Sequence, residues 1–190
     1  MRDIRVATAQ FENRDNDKAY NLGRIRELTR TAVEQGAEIV SFHEVCIPAY
    51  SWVQGISKAE LLDVAEKVPN GPSVRELEKI AKEFGTVVMA GLLERDDSGR
   101  VFNTYVAVGP DGYLTKFSKL HPFVHPDLTP GPGYNVIDLL GCKVGFLICY
   151  DNNLPENVRM TAMLGAEIIF MPHVTCCLPS VMPGRGVVDP

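Results

Sequence analysis

Three residues of the chain carry complementary chemistry, and each stands where an apolar stretch turns polar. Glu44 closes "AEIVSFHE", Lys119 follows "YLTKFS", and Cys149 follows "KVGFLI". A carboxylate can take and return a proton, an ammonium can hold a developing negative charge, and a thiol can attack an electrophilic carbon. Singly, each has an ordinary reading: a solvated or capping acid, a surface charge, a small core residue. Together they fall at the ends of three separate strand-like runs. In α/β sheets the ligand crevice lies outside the carboxyl ends of the strands.

The elements that must position them can be read from periodicity. Residues 4–11 form a mostly buried strand. Residues 17–35 place Leu22, Ile25, Leu28, Ala32 and Val33 at helical spacing, and Gly36 stands at the C′ position. The strand ending at Glu44 follows, so the chain opens β-α-β with the two strands parallel. Ser57 with Glu60 and Ser73 with Glu76 have capping-box spacing, predicting helices to about Val68 and to Phe84. The second places Leu77, Ile80, Ala81 and Phe84 on one face. "TVVMAGLLE", "VFNTYVAVG" and "YLTKF" are strands, the last two joined at Asp111-Gly112, a strong hairpin signal. A long Pro- and Gly-punctuated loop follows Lys119; long loops of this kind tend to be functional. "CKVGFLIC" is a buried strand, Pro155 opens a helix that Gly165 ends, and "AEIIFMPH" is a strand. "GAEIV" at residues 36–40 and "GAEII" at residues 165–169 both join a helix to a strand, which suggests two similarly built α/β units. No element is predicted in "VTCCLPSVMPGRGVVDP".

The chain has 190 residues, 45% of them hydrophobic, enough for one packed domain. No apolar run approaches the roughly 20 residues that span a membrane, and "MRDIRVATAQF" resembles neither a secretory signal nor a transit peptide. Net charge is −5 with dispersed Lys and Arg, which argues against nucleic acid as a partner. The five cysteines are odd in number and irregular in spacing, so reduced thiols and a cytoplasmic location are expected. His121, His125 and His173 show no helical H-x-x-x-H spacing, His121 and His125 being four apart in a Pro-punctuated loop, and no metal site is expected. With no GxGxxG after a strand and no P-loop, no organic cofactor is implied.

The order and context of the motifs resemble the nitrilase, or carbon–nitrogen hydrolase, superfamily over essentially the whole chain. The opening strand carries Gln10, "FHEVCIPAY" carries Glu44, "KFSKLHPF" carries Lys119, "TPG" spans residues 129–131, and "GFLICYDNNLPENVR" carries Cys149. The resemblance implies an αββα sandwich, two facing sheets with helices outside. It implies a single domain over residues 1–190, truncated at its C-terminus, because members continue for roughly another hundred residues. It also implies a homodimer or higher homo-oligomer using the helix around residues 155–164, with Met160, Met163 and Leu164; those three would otherwise be a core-facing stripe.

The implied chemistry is a Cys-Glu-Lys triad cleaving a small amide or N-carbamoyl compound. Glu44 would take the proton of Cys149, whose class of thiol ionises near 8.5. Lys119 would favour the thiolate and, with the backbone N–H of Tyr150, hold the oxyanion. One such donor is worth about 2.7–4 kcal/mol. Glu44 would then protonate the amine and activate water against the thioester. In the family the acid matching Asp151 pairs with the arginine matching Arg159, bracing the turn. Tyr50 and Trp52 are pocket or packing residues. One departure matters: members often carry a second glutamate between the lysine and "TPG", whereas here no Glu lies between Glu94 and Glu156. Asp127 or His125 could stand in. Tyr150-Asp151 after the cysteine resembles the amidase and carbamoylase branches; a nitrilase acting on a small nitrile is the alternative. Beyond enzymes, an inactive fragment or interaction protein on the same scaffold, and a cysteine-based redox or metal protein, are the other classes.

Overall fold

The computed structural model describes residues 3–174, 180–182 and 186–188, the last two stretches as backbone alone. A five-stranded sheet runs in the order β1-β2-β3-β4-β5, comprising β1 (Val6–Thr8), β2 (Ile39–Ser41), β3 (Val87–Arg95), β4 (Val101–Gly109) and β5 (Gly112–Ser118). β1, β2 and β3 are mutually parallel, and β4 and β5 continue antiparallel. A three-stranded sheet contains β6 (Val136–Leu139), β7 (Cys142–Phe146) and β8 (Ile168–Phe170). β9 (Ser180–Met182) and β10 (Gly186–Val188) pair antiparallel in a stretch where no element was expected. Cys176 and Cys177 lie outside the described residues.

Strand alternation separates two cores. Val40, Val88, Ala90, Val106 and Val108 face helices α1 (Lys18–Glu34) and α4 (Pro72–Phe84), which supply Ile25, Val74, Leu77, Ile80 and Ala81. The intervening residues, Ile39, Val87, Met89, Tyr105 and Ala107, face the second sheet and meet Val144, Phe146 and Phe170. Successive side chains of a strand point to opposite faces, so each central strand serves both cores and reads as a continuous apolar run. α5 (Pro155–Met163) covers the outside of the second sheet. It approaches closely because Gly145 has no side chain: a Cβ there would overlap Thr161 Cγ2. The layers are therefore helix, sheet, sheet, helix, the αββα sandwich.

Several local expectations need correction. β1 is not buried; Val6 is exposed, because β1 is an edge strand with β2 as its partner. α3 (Lys58–Val64) has the Ser57–Glu60 capping box but stops short of Val68, and Glu66 bridges to Glu94 beside β3. Ser73 does not cap α4. Pro72 occupies the first turn, so the helix begins one residue earlier, and the Ser73 hydroxyl and N–H both donate to Glu66. The strand carrying Glu44 ends at Ser41, leaving Glu44 in a turn. β6 was missed; it joins β7 through Leu140 and Gly141, both at positive φ, as a two-residue hairpin turn of the primed type requires.

Candidate active site

Glu44, Lys119 and Cys149 come from chain segments far apart in sequence, and the structure brings them together at the seam between the sheets. Lys119 is the first residue after β5, and its N–H donates to Asn103 O on β4 at 2.8 Å. Its Nζ lies 2.6 Å from Glu44 Oε1, with both side chains wholly withdrawn from solvent. Asn103 Nδ2 donates to the same oxygen at 2.7 Å, and the Val174 N–H donates to Glu44 Oε2 at 3.3 Å. Glu44 is thus a buried carboxylate with three donors, the condition under which a buried charge is tolerated. Neither Asn103 nor Val174 was singled out in the sequence. The signal for Asn103 was present, an amide in the middle of an apolar strand.

The loops that hold these groups adopt conformations that L-residues rarely enter. Val45 has φ 47°, Ala49 φ 77° and Cys149 φ 50°. Each left-handed non-glycine residue costs on the order of 1–3 kcal/mol and needs surrounding structure to hold it. Gly91 is part of that structure: a Cβ there would overlap the Val45 backbone nitrogen, and Gly91 O accepts from Ile47 N at 3.1 Å. Gly131, of the "TPG" stretch, does the same for the lysine. A Cβ there would overlap Ser118 O, and the Gly131 N–H donates to Lys119 O at 2.8 Å.

Cys149 opens a 3-10 turn, Cys149–Asn153, three residues past β7. It is buried, and its N–H donates to Pro172 O at 2.9 Å. Burial pushes its thiol pKa up, and the nearby Glu44 charge pushes the same way. The Lys119 charge pulls down and is outweighed. The resting thiol therefore holds its proton, contrary to a thiolate preformed by Lys119.

Asp151 is fully buried, and its carboxylate accepts from Leu120 N at 3.1 Å, His121 N at 2.9 Å and Ile148 N at 3.1 Å. Burial raises its pKa and these three N–H groups oppose the rise. The expected pairing with Arg159 is absent, because Arg159 is exposed on the far face of α5. The brace from α5 is Asn157, whose Nδ2 donates to Asp151 O at 2.9 Å. Tyr134 OH in turn donates to Asn157 Oδ1 at 2.7 Å.

Among the described residues, neither Asp127 nor His125 takes the place of the second glutamate. Asp127 pairs with Lys58 at 2.9 Å, and His125 Nε2 sits 3.0 Å from Ile56 O while its Nδ1 accepts from Asp127 N. Both are committed away from the trio. The second neighbour of the lysine is an aromatic face instead: the Phe123 ring centroid lies 4.9 Å from Lys119 Nζ and the Tyr50 ring 5.9 Å. Trp52 packs in the cluster that contains Val53, Leu61 and Val101. The Tyr150 ring is exposed, edge-on to Phe123 at 5.7 Å. Two cavities of about 530 Å³ each are lined by chain neighbours of the trio, though not by Glu44, Lys119 or Cys149 themselves. One is walled by Leu120, Phe123, Pro130 and Tyr150; the other opens between β1 and β8 beside His43 and His173. Among the described residues no group of three or more side chains could hold a metal ion, and no helix is long and apolar enough to cross a membrane.

A buried acid, amine and thiol meeting at the seam of an αββα sandwich define a class of site, in which a thiol stands beside a carboxylate and an ammonium. Comparison with known proteins gives that class its family. The chain matches the carbon-nitrogen hydrolase family over residues 5–184 and belongs to it. It is 31% identical over 189 residues to a protein named nitrilase from Pyrococcus abyssi, covering 97% of this chain and 71% of that one. It is 33% identical over 184 residues to omega-amidase NIT2 of Mus musculus, covering 90% of this chain and 64% of that one. Among solved structures it is similar to Nit3 of Saccharomyces cerevisiae, a member of branch 10 of the nitrilase superfamily. There the TM-score is 0.79 at 26% identity, over 90% of this chain and 65% of that chain.

Proposed function

We propose that the protein hydrolyses the C–N bond of a small amide or N-carbamoyl compound through a Cys149 thioester, releasing ammonia. The observation that carries this reading is the solvent-excluded Lys119–Glu44 contact of 2.6 Å beside a buried thiol at φ 50°. Glu44 accepts the thiol proton as sulfur attacks the carbonyl carbon. Lys119 and the Tyr150 backbone N–H hold the resulting oxyanion. Glu44 returns the proton to the departing nitrogen, then takes one from the water that cleaves the thioester. The protonated resting thiol supports a base that acts during attack rather than before it.

The substrate approaches along the wall made by Leu120, Phe123 and Tyr150, where an uncharged aromatic face replaces a second carboxylate beside the lysine. Relatives named omega-amidase favour an amide; the relative named nitrilase favours a nitrile as the second reading. Ammonia release from parallel panels of amides, N-carbamoyl compounds and nitriles separates them, and turnover confined to nitriles would overturn our preference. Full activity in Cys149→Ala would remove the mechanism. A second copy of the chain docks through α5, on which Met160, Met163 and Leu164 are exposed rather than core-facing. Light scattering of the wild type and of Met163→Lys tests this, and a monomeric wild type would refute it.

A further inference from the structure

Cys149 has a neighbour to which the mechanism above gives no part. Residues 172–174, just past β8, fold over the thiol. Pro172 O accepts from Cys149 N at 2.9 Å, and Val174 is tied through its N–H to Glu44 at 3.3 Å and through its carbonyl to Cys149 Sγ at 3.8 Å. Between these two anchors stands His173, with Nε2 3.7 Å from Cys149 Sγ. The ring is exposed on the wall of the cavity beside β1, so it can exchange protons with solvent without opening the site.

We propose that His173 is a fourth catalytic residue, exchanging the Cys149 proton with its Nε2 and so setting the reactivity of the resting thiol. The S–H bond breaks, an Nε2–H bond forms, and the electron pair stays on sulfur, giving a minor thiolate–imidazolium form in equilibrium with the protonated thiol that predominates at rest. This rests on reading Cys149 as the nucleophile. The groups facing Sγ are Glu44 after β2, Lys119 after β5, and His173 and the Val174 carbonyl after β8. Both oxygens of Glu44 already accept, Oε1 from Lys119 and Asn103 and Oε2 from Val174. An imidazole adds an acceptor that is not so engaged. Asp151, on the same turn as Cys149, is committed to three backbone N–H groups. Histidine is the side chain whose charge ordinarily changes between pH 5 and 8. The other histidine of the cavity, His43, is held neutral there, burial having lowered its pKa to about 4.

The test is the rate of Cys149 alkylation by iodoacetamide from pH 5 to 9, read by mass spectrometry of the Cys149 peptide, in wild type, His173→Gln and His173→Asn. It needs no substrate, so it is independent of amide turnover. The wild type should show a step in rate between pH 5 and 8 that both variants lose, with a rate at pH 7 lower by about tenfold, one pKa unit of thiol ionisation. Profiles that superimpose, or a step that survives in both variants, would overturn the proposal. Cys46 reports folding, since burial pushes its pKa to about 12 and it should stay unlabelled in all three. A wild type that shows the step but hydrolyses no amide keeps His173 in place and sinks the proposed substrate instead.

Discussion

Replacing Lys119 with methionine should separate the structural weight of the buried pair from its proposed catalytic role. Nζ and Oε1 are 2.6 Å apart with neither side chain accessible to solvent. At an effective dielectric of about 20 their attraction is roughly 6 kcal/mol, most of it offset by the cost of removing both charges from water. Removing one partner exposes the other to that cost alone, typically about 3–5 kcal/mol. Asn103 and Val174 would continue to donate to Glu44, so the low end, about 3 kcal/mol, is expected. With a urea m-value of about 2 kcal/mol/M, the unfolding midpoint should fall by about 1.5 M. Glu44→Gln in the Lys119→Met background should recover at least half of that loss, because a neutral amide no longer needs the cation. Amide turnover should vanish in both variants. An unchanged midpoint in Lys119→Met, or a double variant less stable than the single one, would refute the reasoning, since the pair would then not be desolvated as the geometry requires.

Three further outcomes follow from the same geometry. Asn157→Ala should cost about 1–3 kcal/mol by leaving Asp151 O and Tyr134 OH without their partner, whereas Arg159→Ala should lie within about 0.5 kcal/mol of wild type by urea unfolding. Gly91→Ala should lower kcat with little change in KM and cost about 1–3 kcal/mol, because its Cβ would push on the Glu44–Val45 backbone; unchanged kcat would show that the turn yields. His43 has a folded pKa of about 4 against an ordinary 6.5, so its contribution is present above pH 6.5 and lost as pH falls toward 4. That loss is worth up to about 3 kcal/mol, and His43→Asn should flatten the fall in urea stability between pH 7 and 4.5.

What the sequence disclosed divides by distance along the chain. The helices over Leu77, Ile80 and Ala81 and over Ile25, and the hairpin between β4 and β5, whose turn falls at Pro110-Asp111, one residue before the expected Asp111-Gly112, depend on neighbours a few residues apart, which periodicity and turn residues state directly. The identities of Glu44, Lys119 and Cys149 were legible because each ends an apolar run, and family resemblance joined the three. The partners that fix them were not. Whether α5 braces the turn through Arg159 or Asn157 depends on which face of the helix meets the second sheet, and that is set by Gly145 admitting Thr161. The contact of Val174 with Glu44 spans 130 residues of sequence, and backbone donors carry no side-chain signature. Ser73 misled because its capping spacing is real in sequence, but Pro72 claims the first turn and Glu66 claims the hydroxyl.

The charge balance of the site constrains the chemistry it can favour. At rest the trio is neutral as a whole: one carboxylate, one ammonium and a protonated thiol, enclosed where solvent screens little. In the proposed reaction, attack moves the thiol proton to Glu44 and the negative charge to the carbonyl oxygen. Glu44 becomes neutral, and Lys119 exchanges one anionic partner for another. No net charge is created in the low-dielectric seam; it is relocated by a few ångströms, between positions that the ammonium can reach, which is the condition for preorganised stabilisation of an oxyanion. A second carboxylate beside the lysine would compete with that oxyanion for the same cation. The Phe123 face, 4.9 Å from Nζ, does not. Substituting Phe123 with glutamate should therefore hold Lys119 in place yet slow acylation, seen as a fall in kcat with KM little changed. An increase in kcat would show instead that the lysine in this chain needs a second anion to orient it.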